Sequence, residues 1–363
     1  MGYKRSVQHN QHLFDQMFKN LLWRTVCVYI DDIFIYSNSF EEHVQDLDEV
    51  MQILSNKGFT LKAKKAFIGY QSIEVLGRQV DRLGLSSMAE KMEAIRKIEF
   101  PANLKDLESF IGLASWNCHL IPFLAYQMAP LQKLKMELLN KQETRDQRAR
   151  YVQRTTLEPS EKEVNSFKDV KEALIDSVCN YHFVKGRPLF IFLDASKAWG
   201  FGAAVYQSIA TDGSTCQKDL CPICFVSRQI TGAKSRYWPM DLELTGLIWA
   251  VKKLCIYIEQ THTTIYTDHH SNASIYAANS LKTTSPGKLN LHQQSWANYL
   301  SQFKDGMMVT YKAGSLMTVP DALSRLKARL ETEIEAAKTS STKENETTNV
   351  FALTFIELEE DLS

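Results

Sequence analysis

Apolar residues recur along this chain at two periods, and the changes from one to the other mark its elements. VCVYIDDIFIYS is rich in β-branched and aromatic residues, which predicts β structure interrupted by the two carboxylates Asp31 and Asp32. In the next stretch Val44, Leu47, Val50, Met51 and Leu54 fall three and four apart, which predicts a helix that Gly58 stops. IEVLGRQVDRLGL reads as a short strand pair. From Ala89 to about Leu139 the spacing is helical, broken at Pro101, Pro122 and Pro130.

A third pattern begins near Asn165. RPLFIFLDAS predicts a strand ending at Asp194, WGFGAAVYQ a second strand after a glycine turn, and DLCPICFVSR a third. MDLELTGLIWAVKKLCIYI puts Leu244, Leu247, Ile248, Val251, Leu254 and Cys255 on one helical face. THTTIYTDHH then predicts a strand ending at Asp268. KLNLHQQSWANYLSQF reads as a helix, DGMMVTYKAG as a final strand, and VPDALSRL as the start of a last helix. Strands first, then helix, strand and further helices, predict an α/β chain with a mixed sheet flanked by helices.

Charge changes the picture little. Lys+Arg and Asp+Glu are each 42, so the formal net charge is +0, which argues against gripping nucleic acid by bulk charge but leaves local basic tracks open. One such track, Lys133, Lys135, Lys141, Arg145, Arg148, Arg150 and Arg154, is either a solvated helix or linker or a strip touching a nucleic-acid backbone. No apolar run is long enough to cross a bilayer, and the N-terminal residues show no secretory pattern, so the expected location is the cytoplasm or nucleus, with no membrane partner. Of the 7 cysteines, Cys216, Cys221 and Cys224 lie close in sequence, but an apolar strand-like run and the lack of a fourth thiolate nearby make them core cysteines, not a metal knuckle.

Four acids carry the candidate chemistry. Asp194 and Asp268 sit at predicted strand ends, and Glu243 and Asp321 in the first turns of predicted helices. Strand ends and helix starts are where an open sheet gathers side chains from distant sequence. Carboxylates gathered that closely repel one another unless cations neutralise them, and oxygen-only ligands favour Mg2+ or Mn2+. Two such ions ~3.5–4 Å apart can activate a water and stabilise the leaving oxygen in phosphodiester cleavage. Taken singly, each acid could equally be a turn or cap residue.

DAS…WGFGAAVYQ, YWPMDLELTGLIWAV, IYTDHHS and VPDALSRL, in that order, resemble the ribonuclease H domain of Ty3/gypsy-type retrotransposons. FVSRQITGAKSRYWPMDLE is similar to fungal elements of that group. The resemblance implies that Asp194, Glu243, Asp268 and Asp321 are the catalytic, metal-binding acids, and that the substrate is an RNA–DNA hybrid. Ala313 stands where the family often has proline, and the turn after Asp268 reads HHSNAS; neither departure removes an acid. His269 and His270 read as cap or surface residues, not ligands.

The first stretch resembles the same polyprotein further upstream. VYIDDIFIYS is similar to the polymerase motif whose Asp-Asp turn holds catalytic magnesium, here Asp31 and Asp32. VLGRQVDRLGL is similar to the primer-contacting hairpin, and LESFIGLASWNCHLIPFLAYQMAPLQKL to the thumb-to-connection stretch. The resemblance implies a partial reverse transcriptase palm over 1–88, a thumb/connection and charged linker over 89–164, and a ribonuclease H-like domain over 165–329. The tail over 330–363, rich in Glu, Thr, Ser and Lys and acidic at its end, reads by composition as disordered, with VFALTFI inside it a candidate docking segment. The third polymerase carboxylate and the fingers belong to earlier sequence, so the implied polymerase is incomplete unless the rest of the polyprotein or a second chain supplies them. The expected function is metal-dependent hydrolysis of the RNA strand of a hybrid. The competing reading is a decayed or host-adopted fragment that folds and binds nucleic acid without cutting; four acids kept in order weigh against it.

Overall fold

The structure is a computed structural model, and it describes residues 6–59, 61, 66–87, 89–140, 148–177, 179–196, 200–208, 220–230, 239–269, 291–313 and 352–357. The chain forms two compact units, one of Met1–Leu85 with Lys338–Ser363 and one of Ser86–Ala337. The helices before residue 164 and the sheet after it lie in the same compact unit.

In the first unit, helix α1 (Ser6–Met17) precedes strands β1 (Val26–Tyr29) and β2 (Asp32–Ser37), and α2 (Phe40–Asn56) follows them. β1 and β2 form an antiparallel hairpin with Tyr29 opposite Asp32. Most of the expected apolar face of α2 is realised: Val50 and Leu54 are buried against Ile33, Ile35, Phe14 and Phe18, with Leu47 and Met51 partly buried, while Val44 near the helix start is 50 % exposed. The helix opens on Ser39, whose side chain accepts from the Glu42 N–H and so satisfies one of the orphan donors of the first turn. Strands β3 (Ala66–Tyr70), β4 (Ser72–Val75), β5 (Arg78–Asp81) and β6 (Gly84–Ser86) come next; the last three fall on IEVLGRQVDRLGL, one strand more than the pair expected there. β4 and β5 pair antiparallel across Leu76 and Gly77, both at positive φ, as the tightest hairpin turns require.

The second unit begins with helices α3 (Ala89–Arg96), α4 (Leu104–Trp116), α5 (Leu124–Gln127), α6 (Ala129–Asn140), α7 (Arg148–Arg154) and α8 (Glu161–Ile175). They share one core around Leu107, Phe110, Leu131, Phe167 and Val170. Two residues of the basic track, Arg148 and Lys135, reach Glu108 of α4 at 2.8 and 3.9 Å, Lys135 partly buried and Arg148 still 58 % exposed. After β7 (Asn180–Tyr181), strands β8 (Leu189–Ser196), β9 (Gly200–Ser208), β10 (Leu220–Arg228), β11 (Thr263–Thr267) and β12 (Met307–Tyr311) build a five-stranded sheet in the order β10-β9-β8-β11-β12. β8 pairs antiparallel with β9 and parallel with β11, and β11 pairs parallel with β12, so the sheet is mixed as expected. Cys221 and Cys224 are buried in β10, and burial pushes the Cys224 thiol up to about 12, the behaviour of a core cysteine; Cys216 lies outside the described residues.

Alternation along β8 decides how this unit is layered. Leu189, Ile191 and Leu193 face helix α9 (Pro239–Ile258), packing with Leu244, Leu247, Val251 and Leu254, while Phe190 and Phe192 join Tyr206, Phe225 and Tyr266 on the other face. α10 (Leu291–Ser301) adds Leu300 to the α9 side. Hydrogen bonds from Ala125 N–H to Ser227 Oγ (3.0 Å) and from Gln229 Nε2 to the Ala125 carbonyl (2.8 Å) stitch the helical segment to β10 and the residues after it.

The tail contains the main departure from expectation. Ala352–Glu357, inside the stretch expected to be disordered, is a strand, β13, lying between β2 and β3 in a sheet of order β1-β2-β13-β3. Leu, Thr, Phe and Ile at successive positions of ALTFIE have strand propensity that the acidic average of the tail conceals.

α9 rests closely on β8 because residue 246 is glycine: a Cβ there would lie 2.8 Å from Ala195 Cβ and 3.1 Å from the Phe201 ring. Gly246→Val is expected to overpack this contact and cost about 1–3 kcal/mol, lowering the urea midpoint. An unchanged midpoint would show that the helix does not need this close seat.

Candidate active site

Register places the acids. In the parallel pair of β8 and β11, Leu193 is opposite Thr267, so Asp194 and Asp268 are the next residues at the same end of neighbouring strands. β8 runs on to Ser196, which puts Asp194 two residues inside the strand end, whereas Asp268 directly follows β11. Glu243 lies on α9, which crosses β8; the helix starts at Pro239, so Glu243 is the fifth residue and not in the opening turn. Proline suits that first position because its missing N–H would have no helical partner anyway.

The three groups sense one another. Glu243 is 9 % exposed, and its carboxyl is pushed from an ordinary 4.5 up to about 8, first by burial and then by the charges of Asp268 and Asp194. Asp194 is raised by burial and by Asp268, and a hydrogen bond with the Ala195 backbone partly offsets this. Asp268 is exposed at the mouth of the group. Glu243 Oε2 is buried without a hydrogen-bond partner, an acceptor left open in a place where such groups are normally satisfied. That orphan oxygen and an all-oxygen donor set fit a hard divalent cation. Among the described residues no three His, Cys, Asp or Glu side chains are drawn together tightly enough to form a ready-made chelate. Uncompensated like charge opposes such a collapse. Asp321 lies outside the described residues.

His269, read as a cap residue, donates its backbone N–H to Thr267 Oγ1 at 3.3 Å, which shapes the turn after Asp268. Its ring Nδ1 is buried without a partner, so it is less of a surface group than the sequence suggests. Sequence reasoning also missed Lys312, whose Nζ lies 4.9 and 5.0 Å from the centres of the Tyr266 and Phe192 rings on the sheet face away from α9. Periodicity gives no sign of a contact that forms only when β8, β11 and the end of β12 are side by side.

Asp31 and Asp32 sit at the tip of the β1–β2 hairpin. The turn passes through Ile30 at φ 57°, a region that β-branched residues rarely occupy. Gln11 of α1 braces it: its Oε1 accepts from the Ile30 N–H at 2.9 Å while its Nε2 donates to the Val28 carbonyl at 3.2 Å. On the neighbouring strand, Glu357 is opposite Asp32 in register.

Residues 1–80 match the family described as reverse transcriptase (RNA-dependent DNA polymerase), and residues 185–303 match the RNase H-like domain found in reverse transcriptase. The chain joins a reverse transcriptase domain to a ribonuclease H-like domain. Its homologues are Pol polyproteins of gypsy-type and other retrotransposons. It is 25 % identical over 332 residues to the retrovirus-related Pol polyprotein from transposon opus of Drosophila melanogaster, covering 91 % of this chain and 31 % of that protein. It is 27 % identical over 327 residues to the corresponding polyprotein from transposon gypsy of the same organism, covering 89 % of this chain and 29 % of that one. The chain therefore spans about a third of the length of these relatives. In fold it is similar to the foamy viral protease-reverse transcriptase in complex with RNA/DNA hybrid, with a TM-score of 0.62 and 19 % identity over 86 % of this chain and 38 % of that one. Both Asp31 and Asp32 fall in the reverse transcriptase match, and Asp194, Glu243 and Asp268 in the ribonuclease H-like match.

The raised Glu243 carboxyl has a stability signature. Without divalent ions, the folded state holds a proton between about pH 4.5 and 8 that the unfolded state has released. The stabilisation is complete below the unfolded value and is lost as pH rises through the folded one. Thermal midpoints of the cation-free chain are expected to fall across that window, and Glu243→Gln to flatten the fall. Parallel curves for the two proteins would contradict the shift.

Proposed function

We propose that the ribonuclease H-like domain is a divalent-cation-dependent endonuclease that cuts the RNA strand of an RNA–DNA hybrid. One observation carries this reading: Asp194, Glu243 and Asp268 are electrostatically coupled at one end of the parallel strands, with a buried and unpartnered Glu243 oxygen. The hybrid bound by the foamy viral neighbour supports the substrate class. Asp194, Glu243 and Asp268, joined by Asp321 from VPDALSRL, would hold magnesium or manganese. When bound, these ions supply activation of a water and neutralisation of the leaving oxygen.

The chain's own residues do the positioning. The Ala195 backbone hydrogen bond orients the Asp194 carboxylate. The close seat of α9 at Gly246 keeps Glu243 over the strand ends. Discrimination for RNA would rest on the 2′-hydroxyl and on hybrid shape, because base edges carry no message for such an enzyme.

We further propose that Asp31 and Asp32, two carboxylates on one hairpin, would hold a divalent cation. A module that folds without cutting is the second reading, favoured by the absence of a tight three-ligand cluster among the described residues.

A labelled RNA–DNA hybrid with magnesium separates the two. Wild type is expected to cut the RNA strand, and Asp268→Asn or chelation to abolish cutting while the fold, followed by circular dichroism, is retained. A silent wild type under these conditions leaves the non-catalytic reading.

A further inference from the structure

β13 holds together two stretches that do not pair with each other. On one side it runs antiparallel to β2 over six residues, from Ala352 opposite Ser37 to Glu357 opposite Asp32. On the other it pairs with β3, Leu353 opposite Tyr70 and Ile356 opposite Ala66, with a register shift between Leu353 and Phe355. In this sheet β3 has β13 as its strand neighbour. Take β13 away, and the edge of β2 that it covers loses its strand partner, while β3 has no other strand neighbour in this sheet among the described residues. β2 is the best-buried strand of its unit, with Ile33 and Ile35 at 0 % and Phe34 at 7 % exposure. An apolar edge of this kind is a template for strand addition.

We propose that the first unit is a strand-acceptor site whose resident occupant is the chain's own segment 352–357. The slot between β2 and β3 takes an extended, apolar, antiparallel strand, and the rest of the chain delivers one from beyond the nuclease unit. ALTFIE suits it, carrying strand formers and neither Gly nor Pro. The occupant comes from the same molecule because tethering keeps it at high effective concentration, on the order of millimolar for flexible connections, well above a free competitor. It follows that a chain cut between Lys338 and Ala352 keeps the whole of its second unit but exposes the slot to any strand of the same character. The stability of the polymerase-like hairpin is thereby linked to whether the far end of the chain is present.

Amide hydrogen exchange of the full-length protein tests this. In wild type, the amides of 352–357 and of β2 are expected to be protected in a monomer. Deletion of 350–363, and separately Thr354→Pro in the full chain, are expected to cost β2 and β3 their protection while β8 and α9 keep theirs. An excess of synthetic peptide spanning Val350–Asp361 is expected to restore protection to the deletion variant, and a scrambled peptide not. Three outcomes overturn the proposal: 352–357 exchanging as unstructured chain in wild type, β2 protection unchanged in both variants, or protection that appears only in a dimer by sedimentation, which would make a second copy the donor.

Discussion

Placing three carboxylates at one end of a sheet, one of them shut away from water, is the constraint around which the second unit is arranged. Ionised Glu243 has neither solvent nor a hydrogen bond at Oε2 to stabilise it, and Asp194 and Asp268 make its charge costlier still. A protein fold has few ways to hold such a group. It can keep the proton, or it can offer the charge to a cation. The neighbouring structure serves both states, because the strand register that aligns Asp194 with Asp268 is set by β8 and β11 cores that do not depend on the acids themselves. Leu189, Ile191, Leu193 and Ile265, all at 0 % exposure, fix that register through packing. A slip by one residue would turn these side chains to the opposite face of the sheet.

The first unit solves a different problem. Its hairpin carries two acids on a turn that includes a left-handed isoleucine, a conformation costing of order 1–3 kcal/mol unless its surroundings hold it. Gln11 does so on the entry side of the turn, at Val28 and Ile30, and α2 anchors the strands beneath through Val50 and Leu54. β13 then closes the outer edge of β2. The two acids are thus displayed by a strained tip on a well-paired base, a common way of holding charged groups apart from the core that supports them.

Much of this was legible in the residues. Alternation in RPLFIFLDAS and the three-four spacing of Leu244, Leu247, Val251 and Leu254 identify a strand and the helix that covers it, since burial on one face imposes those periods. Strand register sets two of the four acids, Asp194 and Asp268, side by side, and burial together with their charges raises the Glu243 carboxyl. Less legible were features whose cause lies across the chain. Gly246 looks like an ordinary helix-weakening residue until Ala195 is set against it. Glu108 gives no hint that it will take Arg148 and Lys135 out of a basic track.

The sequence by itself determined most of the segments that are strands and helices and which of their faces are apolar, because these follow from local periodicity and residue chemistry, and it brought Asp194, Glu243 and Asp268 to within a few residues of element ends. Tertiary structure alone decided how exposed each acid is, and therefore how strongly its proton is held, since burial and neighbouring charge come from residues tens of positions away. It also decided the fate of the tail. Composition averaged over 330–363 reads as solvated chain, but six residues within it meet an unsatisfied strand edge more than 300 positions earlier, and backbone hydrogen bonding across that gap makes them part of the fold.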